Sequence, residues 1–397
     1  MILLHGIGRL FTGAGAPVNG AAVVLRGDRI AWVGPARPGP PRDILAAVTE
    51  RVELGGCLVT AGLVDAHTHP LYAGDRSAEI ARRSAGASYA ELATAGGGIA
   101  ASVRATRAAE REAIADATAA RLRAWLATGT TTLEAKTGYW LEREGELRGV
   151  VLLAELAGRH DVPDLSITFL GAHAVPPDDA NGADAYLDEV ATWCAPAAAA
   201  GARWCDVFCD EGYFTPAQAR RVLEAGRAAG LGLRLHADEL ARTGGAQLAA
   251  ELRATSADHL LHADARDATA LAAAGVVATL APGTGLAMGR MAPARLLHDA
   301  GVTLALATDH NPGTCGLTDL TVVIALAVAA AGLSVDEALL AATRGGARSL
   351  GLADRGTVAP ELRADLVAWD AEHEGAFAWA WGLRPTHVWL AGTPVRP

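Results

Sequence analysis

The chain has 397 residues, 51% of them hydrophobic, with a formal net charge of −10 and a pI of about 5.6. A chain of this length can bury one large core and still build a small second domain. The acidic balance excludes nucleic acid and anionic membranes as main partners, and no apolar run is long enough to span a bilayer.

The cysteines and the amino terminus predict a cytoplasmic protein. The chain has five cysteines. This odd number of scattered thiols does not suit a disulfide framework and favours a reducing compartment. The opening stretch MILLHGIGRLF lacks the basic and apolar regions of a secretory signal peptide, so none is expected.

The two ends of the chain have the pattern of short strands. Residues 21–34 contain two β-rich runs around Arg-Gly-Asp, which predicts a hairpin, and 364–370 and 386–395 are short alternating runs with Gly turns. We expect residues 1–61 and 352–397 to pair into one small composite β-sandwich domain.

Between the ends, eight short apolar runs alternate with helical segments. This pattern predicts an α/β fold, a (β/α)₈ TIM-type barrel over residues 62–351. The alternative is an open doubly wound sheet, but no GxGxxG follows the first run. Helices are clearest at 109–129, 215–230 and 335–351, where the last two begin at a Thr or Ser cap and end at Gly. The eight runs are 62–69, 129–139, 165–176, 204–212, 231–239, 254–260, 275–283 and 301–313.

Polar side chains collect at the carboxyl ends of these runs. In a barrel these ends meet at one mouth, where active sites lie, so residues far apart in the sequence become neighbours. The polar residues are His67, His69, Glu134, Lys136, Tyr139, His173, Asp210, His236, Glu239, His259, Asp309 and Asn311.

Four of these residues predict a mononuclear metal site with room for water. His67 and His69 are two apart in VDAHTHP, so both imidazoles face the same side of a strand, and neutral imidazole is a usual ligand for Zn or Fe. Asp309 ends the apolar run VTLALATD, where an unpaired charge is costly unless a cation compensates it. A helix cap is the alternative for Asp309. His236 completes the set, and Glu239 in LHADE can exchange a proton with a bound water.

Together these motifs resemble the amidohydrolase superfamily and, within it, the imidazolonepropionase family of histidine degradation. HxH alone is a superfamily signal, whereas the combination of segments is much more specific. The segments that carry the resemblance are GLVDAHTHPLYAGDR, SYAELATAGGGIAASVRATR, GTTTLEAKTGY, FLGAHAVP, CDVFCDEGYF, LHADE, SADHL, LAPGT and LATDHNPGT.

The resemblance implies metal-dependent hydrolysis of the cyclic amide of 4-imidazolone-5-propanoate to N-formimino-L-glutamate. It also implies one Zn²⁺ or Fe²⁺/Fe³⁺ ion per subunit and a homodimer. The implied metal ligands are His67, His69, His236 and Asp309. Glu239, or alternatively Asp309, is the implied proton carrier.

Further roles follow from the resemblance position by position. His259 is implied to polarise the ring carbonyl. Arg76 is implied to hold the propanoate, assisted by Tyr89, because a guanidinium pairs well with a carboxylate. The other implied substrate contacts are Tyr139, His173, Glu239, Asn311, Gly313 and Thr314.

Three positions raise separate questions. His310 stands where the family often has an apolar residue or Asn, and it could be an extra ligand or a partner of a ligand. Pro70 stands where Leu is expected, which predicts a bend in the loop that carries Arg76. Lys136 is the only lysine. It ends the second run, whereas the bridging lysine of binuclear amidohydrolases belongs to the fourth strand, so the resemblance favours a charge or scaffold role.

Two alternative functions stay open. A nucleobase deaminase of the same superfamily, of the cytosine or guanine type, would use the same ligands but would not need Arg76 together with KTGY and GAHAVP. A catalytically inactive amidohydrolase-like interaction protein would have lost ligands, and all four positions are intact.

Overall fold

The structure is a computed structural model that describes residues 1–86 and 97–395. Within these residues the strands form two eight-stranded sheets, one from the chain ends and one from the middle of the chain. No described helix combines the length and the apolar character that crossing a bilayer requires. All five cysteines lie in the described ranges and are free thiols.

The first sheet joins both ends of the chain, as predicted. Its strands are β1 Ile2–Phe11, β2 Val18–Arg26, β3 Arg29–Pro35, β4 Glu50–Glu53, β5 Leu58–Ala61, β14 Leu366–Trp369, β15 Pro385–Leu390 and β16 Thr393–Val395. The central strand β1 pairs antiparallel with β2 and parallel with both β4 and β5. From the carboxyl end, β14 lies antiparallel to β5, and the predicted hairpin is formed by β2 and β3. The division of domains at residues 61 and 352 remains a prediction.

The second sheet is the predicted barrel. Its strands are all parallel, and they follow one another in sequence order. Each of the eight predicted runs overlaps one strand, and only β8 begins outside its run, by one residue. The strands are β6 Leu63–Asp65, β7 Thr130–Lys136, β8 Asp164–Ala172, β9 Trp204–Cys209, β10 Gly232–Ala237, β11 Ser256–His259, β12 Val277–Leu280 and β13 Leu304–Leu306.

Asp65 fastens the seam where the first and last barrel strands meet. Its carboxylate accepts hydrogen bonds from the Thr308 N–H at 3.0 Å and the Thr308 hydroxyl at 2.6 Å. The carbonyl of His67, two residues after Asp65, accepts a hydrogen bond from the Asp309 N–H at 3.0 Å. The first acidic residue of VDAHTH therefore brings the two histidines beside Asp309.

Helices alternate with the barrel strands, as the sequence predicts. The helices at 109–129 and 215–230 are confirmed, but the one expected over 335–351 is interrupted by a π-helical turn at Ala341–Gly345. The helices are Arg42–Ala46, Ser77–Ser84, Gly98–Ala108, Arg111–Ala127, Arg143–Ala157, Ala183–Ala200, Pro216–Ala228, Gly245–Glu251, Ala265–Ala274, Pro282–Ala287, Ala294–Asp299, Leu320–Ala330, Val335–Leu340, Gly346–Ser349 and Ala376–Trp379.

The π-helical turn has a packing reason. A Cβ added at Gly345 would lie 2.0 Å from the Leu304 carbonyl oxygen, and one at Gly346 would lie 2.5 Å from the Val64 carbonyl oxygen. The two glycines therefore let this segment touch β13 and β6 at the seam. A regular helix with side chains at both positions could not approach so closely.

Period-two alternation separates the two faces of each barrel strand. On β9, Cys205 lies against the helix Pro216–Ala228, where a Cβ at Gly226 would come within 2.6 Å of the Cys205 Cβ. Asp206 and Phe208 on the same strand are also buried, but their side chains point to the opposite face, into the barrel interior. The interior near the carboxyl ends of the strands is therefore polar, while the outer face of the strands is apolar.

Candidate active site

Four side chains converge at the mouth of the barrel, as the sequence predicts. The Nε2 atoms of His67 and His69 are 3.2 Å apart, and those of His69 and His236 are 3.4 Å apart. Asp309 Oδ1 lies 3.5 Å from His67 Nε2 and 3.6 Å from His69 Nε2. All four residues are buried.

These distances fit a single bound cation. Ligand atoms at about 2.0–2.1 Å from a tetrahedral metal are separated from one another by roughly 3.3 Å. Burial, above all, lowers the pKa of His67 and of His69 well below the ordinary value, so both imidazoles are neutral. Lone pairs that face one another at this range repel unless a cation lies between them. The donor set therefore suits one metal ion.

Two buried carboxylates hold the outer nitrogens of the ligand histidines. Asp258 Oδ2 lies 2.6 Å from His67 Nδ1, and Asp206 Oδ2 lies 3.0 Å from His236 Nδ1. A proton on Nδ1 leaves Nε2 unprotonated, which is the form that binds a metal. Sequence reasoning missed both carboxylates, although each occupies an inward position on its strand.

Lys136 and Arg234 lie among these carboxylates, deeper in the barrel. Lys136 Nζ is 2.8 Å from Glu134 Oε1 and 2.6 Å from Asp206 Oδ2. Burial opposes the ammonium charge, but Asp206 and Glu134 outweigh it and raise the pKa of Lys136. A protonated amine held in this way does not suit a carbamate that bridges two metals. The structure therefore favours the scaffold role.

A threonine from the LAPGT segment orients Asp309. The Thr284 hydroxyl donates to Asp309 Oδ2 at 2.5 Å, which leaves Oδ1 turned toward the histidines. Burial raises the pKa of Asp309 to about 6, and the Thr284 hydrogen bond opposes that rise. Asp309 also has a left-handed φ of 48°, a conformation that costs about 1–3 kcal/mol in a residue with a side chain.

Glu239 and His259 face the same cavity as the candidate metal ligands. Glu239 Oε2 lies 3.7 Å from His259 Nε2, and neither ring nitrogen of His259 has a hydrogen-bond partner among the described residues. Burial, reinforced by the Asp309 carboxylate, raises the pKa of Glu239 well above its ordinary value. Burial also lowers the pKa of His259 well below its ordinary value, which keeps that imidazole neutral. Glu239 can take up and release a proton, and neutral His259 can donate a hydrogen bond.

Buried carboxylates also shape the loops that carry the site. Asp210 accepts the N–H groups of Glu239 at 2.6 Å and of Leu240 at 2.8 Å. Glu146 accepts the N–H groups of Gly138 at 2.8 Å and Trp140 at 2.9 Å, on either side of Tyr139. Satisfied backbone donors make these loops rigid supports for the side chains they present.

Arg76 also lines this cavity and is buried and tightly packed. Its Nε donates to Glu79 Oε2 at 3.0 Å, and Glu79 Oε1 accepts the Gly98 N–H at 3.0 Å. The guanidinium lies against the backbone of Gly313, where an added Cβ would come within 2.1 Å of Arg76 Nη1. The same cavity is thus lined by a cation and by candidate metal ligands.

His173 and Tyr139 form one wall of the cavity. The His173 ring is stacked on His69, with ring centroids 5.2 Å apart, and Nδ1 lies 2.9 Å from the Gly138 carbonyl oxygen. Burial lowers the pKa of His173 to about 3. Tyr139 contacts the same ring edge-on, at 5.2 Å between centroids.

The apolar part of the wall was not predicted. Phe208 stacks on Tyr213 at 4.0 Å and contacts His236 at 5.2 Å between ring centroids. The strand alternation that places Asp206 inward also places Phe208 inward, which is the signal that could have identified it. The remaining unpredicted lining residues are Ile99, Leu240 and Met288.

The DHNPGT loop holds the last of the predicted contacts. Asn311 and Thr314 line the cavity, and the Asn311 amide also fixes the loop, because its Oδ1 accepts the Gly313 N–H at 2.9 Å and the Thr314 N–H at 2.7 Å. Tyr89 lies outside the described residues.

His310 is held by two hydrogen-bond partners, and the bend predicted at Pro70 stays a prediction. His310 Nε2 lies 3.0 Å from the Tyr72 hydroxyl and Nδ1 lies 3.2 Å from the Leu317 carbonyl oxygen. Both ring nitrogens therefore have partners other than the candidate metal ligands. The carbonyl groups of Pro70 and Tyr72 each accept a hydrogen bond from Arg121 at 2.9 Å. This clamp fixes the loop that follows the HTH motif.

Comparison with known proteins agrees with this geometry. The sequence pattern described as "Amidohydrolase family" matches residues 58–395. The solved adenosine deaminase from Xanthomonas campestris, with bound zinc, superposes with a TM-score of 0.75, at 20% identity over 99% of this chain and 92% of that chain. At that identity the likeness shows the fold alone.

Curated relatives are much closer in sequence. Imidazolonepropionase from Caulobacter vibrioides is 44% identical over 379 residues, which cover 94% of this chain and 93% of that protein. Imidazolonepropionase from Rhizorhabdus wittichii is 43% identical over 391 residues, with 96% of each chain covered. The chain therefore belongs to the amidohydrolase family and, within it, to the imidazolonepropionases.

Proposed function

We propose that this protein hydrolyses the cyclic amide of 4-imidazolone-5-propanoate to N-formimino-L-glutamate. One observation carries the proposal: a cluster of metal-ligating side chains and a buried arginine line the same cavity, with Glu239 and His259 also facing it. Such a cavity suits a small cyclic amide that bears a carboxylate tail.

His67, His69, His236 and Asp309 would hold one Zn²⁺ or iron ion per subunit. When bound there, such an ion lowers the pKa of water and polarises a carbonyl oxygen. Imidazole and carboxylate ligands suit both metals. The homodimer implied by the family stays a prediction, as does the cytoplasmic location predicted from the cysteines and the amino terminus.

Glu239 is the proposed proton carrier. Its carboxylate accepts a proton from the attacking water as the water oxygen bonds to the ring carbonyl carbon. It returns that proton to the ring nitrogen as the C–N bond breaks. A raised pKa suits a group that must take a proton and then release it near neutral pH. Asp309, whose pKa is about 6, is the alternative carrier.

His259 and Arg76 position the two ends of the substrate. Neutral His259 donates a hydrogen bond to the carbonyl oxygen, where negative charge develops. Arg76 pairs with the propanoate and fixes the ring relative to Glu239, so that binding at the tail orients the reacting bond. Tyr89 is proposed to assist Arg76, while Tyr139 and His173 pack beside the ring.

The test is turnover of freshly prepared 4-imidazolone-5-propanoate by metal-replete protein. Ring opening is followed by the loss of imidazolone absorbance, with and without a chelator, beside a panel of purines and pyrimidines. We expect chelator-sensitive turnover of the imidazolone alone. Turnover of a nucleobase instead would favour a deaminase. Less than about half an equivalent of metal in purified protein, without turnover, would favour an inactive relative.

A further inference from the structure

Lys136, the only lysine of the chain, lies beneath the candidate metal site and is fully buried. Its ammonium is 2.8 Å from Glu134, 2.6 Å from Asp206 and 3.7 Å from Asp258. Arg234 is the second cation of the cluster, with Nε 2.8 Å from Glu134 Oε1 and Nη2 3.3 Å from Asp258 Oδ2. Two cations thus lie among three carboxylates, all out of reach of water.

The ammonium connects two of the proposed metal ligands. Asp206 contacts His236, and Asp258 contacts His67, each at the outer nitrogen of the ring. The Lys136 amine lies between these two carboxylates. The direction in which both imidazoles point therefore depends on the same cation.

The two carboxylates differ in their other support. Asp258 also interacts with Arg234, and the Ser256 hydroxyl donates a hydrogen bond to it. Asp206 has no other cation within the described ion pairs: its side chain contacts only Lys136 and His236, including the His236 N–H at 3.2 Å. Loss of the Lys136 charge would thus leave Asp206 without a cation partner, whereas Asp258 would keep Arg234. We therefore expect it to disturb His236 more than His67.

We propose that Lys136 is a positioning residue for the metal site, which sets the orientation of His236 through Asp206 and, to a lesser degree, of His67 through Asp258. This inference rests on the metal site of the proposed function. A buried ion pair that serves only stability can often be replaced by apolar groups at little cost, so stability alone does not explain an ammonium at this point. Groups that orient ligand histidines change metal affinity by about 10–100-fold when they are removed.

The experiment compares full-length parent protein with Lys136→Met, which keeps the chain volume and removes the charge. The matched control is Arg355→Met. Arg355 is also a buried cation, but it pairs with Asp164 at 2.5 Å and with Thr132 at 3.0 Å near the opposite ends of the strands. Zinc affinity is measured by competition with a chromophoric chelator, and ligand geometry by the visible spectrum of the cobalt-substituted protein.

We expect Lys136→Met to bind zinc about 10–100-fold more weakly and to change the cobalt spectrum. Arg355→Met should lose thermal stability but keep zinc affinity within about threefold. Folded Lys136→Met with parental affinity and spectrum would overturn the proposal.

Should Lys136→Met fail to fold, Asp206→Asn tests the link through which Lys136 would act on His236, with little change in volume. About tenfold weaker zinc binding supports the inference, and parental binding overturns it. A parent protein that binds no zinc or cobalt would instead overturn the metal site of the proposed function, and the inference with it.

Discussion

Gly313→Ala tests whether Arg76 is the anchor for the substrate carboxylate. The new methyl group would lie 2.1 Å from Arg76 Nη1 and 2.6 Å from Cζ. Ordinary contact needs about 3.5 Å, so the guanidinium must withdraw by more than about 1 Å. The φ of Gly313 is not left-handed, and the obstructing atoms belong to the end of a flexible side chain. We therefore expect little change in stability and a large change in binding.

The magnitude follows from the displacement. A misplacement of about 1 Å in a positioning group can cost about 100-fold in rate, or about 2.7 kcal/mol of transition-state stabilisation. We expect kcat/KM for 4-imidazolone-5-propanoate to fall by about 10–100-fold, mostly through KM. Steady-state kinetics, metal content and the midpoint of urea unfolding are measured on the same preparations.

Two controls make the test specific. Gly316→Ala changes a residue of the same loop where an added Cβ meets nothing within 4 Å, and it should behave as the parent protein. An imidazolone without the propanoate chain should be hydrolysed equally poorly by the parent and by Gly313→Ala. Parental kcat/KM in folded Gly313→Ala would refute the assignment of Arg76.

Three further predictions concern other parts of the chain. Glu239→Gln should lower kcat by about 10²–10⁴-fold with metal content unchanged, whereas Glu211→Gln, an exposed neighbour, should not; equal rates for both would contradict the proton-carrier role. Cys57 is the only cysteine that is not buried, so a thiol reagent should titrate one group in native protein and five in denaturant; several fast native thiols would contradict the packing. The hydrogen bond from Arg295 holds the pKa of Glu337 at about 2, below the ordinary 4.5. Its contribution to stability is therefore present above pH 4.5 and lost as the pH falls toward about 2. Glu337→Gln should cost about 0.5 kcal/mol at pH 7, since solvent reaches both partners of the pair and screens it, and less at pH 3 by urea unfolding. An equal cost at both pH values would refute the linkage.

Much of the fold could be predicted because its signals are local. Each predicted run coincides with a barrel strand to within one residue at its start or lies around it, since apolar runs between helical segments leave few other arrangements. The π-helical turn at Ala341–Gly345 was not predicted, because its cause is the contact of two glycines with strands far away in the sequence.

The candidate metal ligands were also visible in the sequence. Strand periodicity predicted that His67 and His69 share one side, and their Nε2 atoms do meet, although both residues lie just beyond the end of β6. Asp309 ends an apolar run where a charge needs compensation. The carboxylates behind the histidines were not found. Asp206 and Asp258 look like ordinary polar positions until the barrel brings them within hydrogen-bond distance of imidazoles.

The sequence by itself determined which side chains of a strand share a face, because alternation along a strand needs no knowledge of the neighbouring strands. Only the tertiary structure decided which of them touch. The contacts of Lys136 with Asp206, and of Arg76 with Gly313, join residues that are far apart along the chain. Their distances depend on how the eight strands are staggered around the barrel, and local periodicity does not specify that stagger.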